Sequence, residues 1–224
     1  MQRLTLILLL VLSLTPSVRA QDRQALRDSL ALAADRLAYH PDSIDLRLKK
    51  ASWNVELEQW QFALDEYSYI IERQPDNLAA RFFRAFVNEK LHRNKFARLD
   101  YEAVLMHAPG HFEALLGLAL LCQKEKRYTE AYNHINVLVD LHPDSAVAYA
   151  ARAGMEYDRQ MYDLAEYDYR EAMKLQPTNT DYAVNHIDVL LLLKRREEAR
   201  EELDRLVAAG IARQSLRQLY DRCR

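Results

Sequence analysis

Glycine is scarce in this chain of 224 residues, which has only four. No Gly-rich phosphate-binding loop and no G-x-S-x-G nucleophile turn can be found in it. Cysteine is as rare. Cys122 and Cys223 are the only two, with no C-x-x-C spacing, so a disulfide framework or a cysteine zinc site is excluded. H-E-x-x-H is absent as well, and His107 and His111 flank a Pro-Gly turn that denies them the helical i, i+4 geometry of a zinc pair. The seven histidines and the acid runs therefore read as structural or solvated groups, and no cofactor is expected. The formal net charge is −2, and no basic cluster is dense enough to suggest nucleic acid as a partner. Asn-x-Ser/Thr does not occur.

Long apolar runs are also few. The only one, at 4–14, follows Arg3 and precedes Pro16 and the small-residue stretch Val18-Arg19-Ala20. That layout predicts a secretory signal peptide over 1–20, too short to span a bilayer comfortably. The mature chain would begin at Gln21, carry 29 basic and 33 acidic residues, and keep no stable membrane anchor. An exported protein, periplasmic or secreted, is the expected location.

What the chain does have is a period. Five of its six prolines, Pro41, Pro75, Pro109, Pro143 and Pro177, stand 34 residues apart, and the string HPDS occurs at 40–43 and again at 142–145. A fixed period of this length marks a repeat architecture. Laid out on the grid, Ala63, Ala97, Ala131, Ala165 and Ala199 share one column. Ala51, Ala85, Ala119 and Ala153 share another, continued by Ile187. Tyr67, Tyr101, Ile135, Tyr169 and Leu203 lie four residues after the first column, and Ile70, Val104, Leu138, Ala172 and Leu206 lie seven after it. Spacing i, i+4, i+7 is one face of a helix, and the alanines let two antiparallel helices approach closely. Each proline ends a second helix, since the residue before proline resists the α region. Ser43, Asn77, Ser145 and Asn179 follow two residues later as N-caps for the next helix.

These columns resemble the tetratricopeptide repeat family. The resemblance implies an all-α fold, a right-handed helical-hairpin solenoid of five repeats over 43–211. Helices at 22–39, within an N-terminal segment 21–42, and at 212–222, within a C-terminal segment 212–224, would flank it. The fifth copy is the most degenerate, with Ile211 where the family has proline. A second pair of columns sets Lys50, Arg84, Arg152 and His186 against Glu66, Asp100, Asp168 and Glu202, sixteen residues on. The third repeat loses both charges to Leu118 and His134. A contact between the two helices of each repeat is inferred.

In the family the first helices line a concave groove. Carried over column by column, its lining here is Leu48, Phe82, Phe86, Leu116, Leu120, Tyr157, Val184 and Leu191. The Lys and Asn set with which chaperone-type members hold a terminal carboxylate is absent. The resemblance therefore implies a non-catalytic scaffold that binds an apolar or amphipathic protein or peptide segment. Self-association, as a homodimer or as a structural subunit of an envelope complex, is the alternative. Phe82, Phe86, Leu116 and Leu120 are expected to form one continuous floor, with Phe86 pointing into open groove.

Overall fold

The computed structural model describes residues 16–224, with side chains from residue 22 onward. Among these residues there are twelve helices and no strand. In chain order they are α1 (Pro16–Tyr39), α2 (Ile44–Glu56), α3 (Trp60–Arg73), α4 (Leu78–Lys90), α5 (Asn94–His107), α6 (Phe112–Lys124), α7 (Tyr128–Leu141), α8 (Ala146–Asp158), α9 (Tyr162–Leu175), α10 (Thr180–Leu192), α11 (Arg196–Ala208) and α12 (Arg217–Arg222). The helices from α2 to α11 form five hairpins, one per 34-residue period. The apolar run at 4–14 lies outside the described residues. The first helix starts earlier than expected, at Pro16, where a missing N–H costs nothing in a first turn. A cut after Ala20 would fall inside it. At the other end α12 starts at Arg217 and not at 212, because residues 211–216, after Gly210 at φ 100°, are not helical.

The punctuation of each hairpin follows from local chemistry. Gln74, His142 and Gln176 stand just before their prolines with φ near −130° and ψ of 78°, 61° and 76°, outside the α region, and end their helices there. Two residues after each proline comes the cap. Asn77 accepts from the Ala80 N–H, Ser145 from Ala148 and Asn179 from Asp181. His111 takes the same place in the third repeat, its Nδ1 accepting from Ala114 at 3.3 Å. Ser43 has cap dihedrals but makes no side-chain cap bond. Inside each hairpin the first helix ends in a Schellman turn, as where Gln59 N–H bonds Asn54 O and Glu58 N–H bonds Val55 O. The left-handed residue of that turn is Glu58, His92, Lys126, Gln160 or Lys194, with φ between 58° and 63°. None is glycine.

The described residues divide into two compact units, one up to Ala103 and the other Val104–Arg224. In the first, α1 packs on α2 through buried Ala33 and Leu37, and α3 packs on α2 and α4. Its core gathers Ala51, Ala63, Tyr67, Ile70 and Val87. In the second, each of α7 to α12 packs on the helix before it. One core cluster there holds Ala153, Ala165, Tyr169 and Ala172, and another holds Ile187, Ala199, Leu203 and Leu206. All five alanines of the invariant column are at most 1% exposed, so the aligned columns are the core.

Candidate functional site: the outer faces of the first helices

The residues expected to line a groove share one property. Leu48, Phe82, Phe86, Leu116, Leu120, Tyr157, Val184 and Leu191 are all half-buried, neither sealed in the core nor open to solvent. Their surroundings differ between the units.

In the first unit, Leu48, Val55 and Phe86 pack on the core cluster. The Phe86 ring meets Trp60 edge-on at 6.2 Å, and the Lys90 ammonium sits 4.9 Å from its centroid. Phe86 thus bridges α4 to α3 and does not project into open space, contrary to the expectation. Phe82 lies 5.9 Å from Tyr101, so it too is held against a second helix. The Tyr101 hydroxyl donates to Glu89 at 2.6 Å, and burial with that carboxylate raises its pKa.

In the second unit, Leu116 and Leu120 are four residues apart on α6 and share a face. Polar bonds tie successive first helices together beside them. Gln123 donates to Asp158 at 2.8 Å. The Tyr157 hydroxyl donates to Asp188 at 2.7 Å, and Arg222 of α12 pairs with the same carboxylate. Burial, then the bond to Asp188, pushes the Tyr157 hydroxyl up to about 12. Tyr157 is therefore a brace between repeats. Val184 and Leu191 pack with Leu216, Leu219 and Tyr220, so the C-terminal segment covers that end of the face.

The inferred charge columns are in contact. Lys50 reaches Glu66 at 2.6 Å, and Arg84 forks onto Asp100 with two bonds of 2.7 Å. Arg152 forks onto Asp168 at 2.6 and 2.9 Å, and His186 Nδ1 lies 2.5 Å from Glu202. Leu118 is in the core. The acids are far more buried than surface pairs would be. Asp100 and Asp168 side chains are 4% and 2% exposed. The Arg152 pKa is raised, chiefly by its hydrogen bond to Asp168.

One buried group escaped the sequence reading. Glu156 on α8 is 5% exposed, and its Oε2 has no hydrogen-bond partner. Burial, then the neighbouring Asp168 charge, pushes its carboxyl up to about 8. Its column holds Asn54, Asn88, Cys122 and Leu190 in the other repeats, too varied to single out a buried acid. Neither Cys122 nor Cys223 forms a disulfide, and Cys122 is buried. Among the described residues no group of His, Cys, Asp and Glu is arranged to hold a metal, and no helix is long and apolar enough to cross a membrane.

Consecutive helical hairpins of one length, capped and packed alike, define the class of helical-hairpin repeat solenoids. The family model described as tetratricopeptide repeat matches residues 92–154. A tetratricopeptide repeat protein from Parabacteroides merdae has the same fold, with a TM-score of 0.66 at 20% identity over 91% of this chain and 79% of that one. PilW, a type IV pilus biogenesis factor, gives 0.72 at 16% identity over 85% and 89%. A chain of the APC/C Cut9–Hcn1 hetero-tetramer gives 0.67 at 14% identity over 89% and 40%. No curated protein matches the sequence. Residues 92–154 thus match the tetratricopeptide repeat model, and the chain shares the helical-hairpin fold of these solved structures.

Proposed function

We propose that the protein is an exported, non-catalytic scaffold whose first helices hold an apolar or amphipathic segment of a partner protein. The observation that carries this reading is the half-burial of Leu116 and Leu120, which share one face of α6 in the second unit. A purely internal column would be sealed, as the alanine columns are. A purely solvated one would be polar. Half-buried apolar side chains in regular succession suit a segment laid along them, because helix-in-groove recognition uses such spaced anchors. Structural neighbours include a pilus biogenesis factor and a member of a hetero-tetramer, which supports a role in assembly.

Within the second unit, Leu116 and Leu120 are the best anchors, since Tyr157 is engaged as a brace and Val184 and Leu191 pack with the C-terminal segment. Cross-linking with mass spectrometry on envelope extract tests the reading. Wild type is expected to retain a defined partner set that Leu120→Glu loses while its melting temperature holds. An identical set captured by both proteins, or none by wild type, would overturn it.

A further inference from the structure

The most open large apolar side chains on the helical hairpins of the first unit are not on its first helices. Phe62 on α3 is 64% exposed, and Phe96 and Leu99 on α5 are 61% and 60% exposed. Three such side chains on neighbouring second helices exceed the scattered apolar exposure of a solvated surface.

The charges around them follow a rule. Lys95, Leu99 and Glu102 stand at i, i+4 and i+7 on α5, which makes one stripe, with Phe96 beside it. Lys95 and Glu102 are both exposed, and neither has an ion-pair partner among the described residues. Suppose two such stripes lie antiparallel about a two-fold axis near Leu99. Lys95 of each then faces Glu102 of the other, and the leucines meet at the centre. In a parallel arrangement lysine faces lysine. The stripe is therefore complementary to itself in one orientation only, as an isologous interface requires.

We propose that this face pairs two copies of the chain, α5 against α5 and antiparallel, with Leu99 on the axis, Lys95 against Glu102 at both ends, and Phe96 and Phe62 widening the apolar contact. A bilayer is a poorer occupant, because Glu102 and the exposed Asp65 of α3 would be pressed against anionic headgroups. The face is small beside the roughly 800 Å² per partner of a stable complex, so the dimer is weak and depends on concentration. It does not rest on the reading of the first helices.

Sedimentation equilibrium of the purified protein at low salt tests the proposal. A monomer–dimer equilibrium is expected in wild type and in Leu120→Glu. Lys95→Glu and Glu102→Lys should each weaken it about tenfold or more, and Leu99→Glu should abolish it. The double variant Lys95→Glu/Glu102→Lys should restore it, because the swapped charges still face each other. Lys95, Leu99 and Glu102 are exposed, and unchanged melting temperatures should confirm folding. A wild type that stays monomeric, single reversals without effect, or a double variant that is not rescued would overturn the proposal. So would Lys95-dependent co-sedimentation with phosphatidylglycerol vesicles, which would assign the face to a membrane.

Discussion

Glu58, His92, Lys126, Gln160 and Lys194 hold the left-handed turn of each hairpin with side chains that pay for it in strain. A non-glycine residue there costs on the order of 1 kcal/mol. Gln160, exposed and without a side-chain bond of its own, is the cleanest test. Gln160→Gly is expected to raise unfolding stability by about 0.5–1 kcal/mol in chemical denaturation, and Gln160→Val to lower it, because β-branched residues fit that region worst. The forked pair Arg84–Asp100 joins α4 to α5 with an almost wholly buried acid. Asp100→Ala leaves the cation facing a low-dielectric wall and is expected to cost about 2 kcal/mol. A double-mutant cycle with Arg84→Ala should show coupling well above the ~0.5 kcal/mol of independent sites. Phe86→Glu should also destabilise, by roughly 2 kcal/mol, because its ring fills space against Trp60. A thermal melt matching wild type would mean the ring is dispensable to packing. The charge columns were legible in the sequence because their sixteen-residue offset recurs four times. The fate of Phe86 was not, because an i, i+4 pair states which side chains share a face and not what that face meets.

At the scale of helices, α7, α8 and α9 close around a polar cluster. Glu156 faces Asp168 and Arg152, and the buried Tyr132 hydroxyl from α7 has no hydrogen-bond partner. Arg152 is already committed to Asp168 in a fork and to Asn136, so Glu156 lacks a cation of its own. With its carboxyl pushed up to about 8, the folded state keeps a proton that the unfolded chain releases above about 4.5. The proton count is then higher in the folded state, and this group's contribution to stability falls as pH rises through that window. Glu156→Gln is expected to be near neutral at pH ~5 and stabilising by on the order of 2 kcal/mol at pH ~8.5. Equal urea midpoints for the two proteins at the higher pH would contradict it. The ten hairpin helices were legible, since proline and apolar spacing recur from period to period. The starts of α1 and α12 were not, nor was His111 as a cap, because histidine is an uncommon capping residue.

For the whole molecule, export remains the largest proposal. N-terminal sequencing of the exported product is expected to return Gln21. Processing there would remove the first residues of α1, yet Ala33 and Leu37, which α1 buries, lie well downstream. Residues 21–224 should therefore melt within a few degrees of the full chain in calorimetry. A product beginning at Met1 would overturn the signal-peptide reading.

The sequence alone determined the period, the hairpins and the core. Those depend on contacts between residues no more than about one repeat apart, and such contacts leave a repeating trace in the columns. The tertiary structure decided the rest. Tyr157 could serve as a binding anchor or as a brace until Asp188 was placed against it. Val184 and Leu191 are covered only because the C-terminal segment folds back onto α10. Exposure is set by what stands opposite a side chain, and no column of a repeat records what lies across from it.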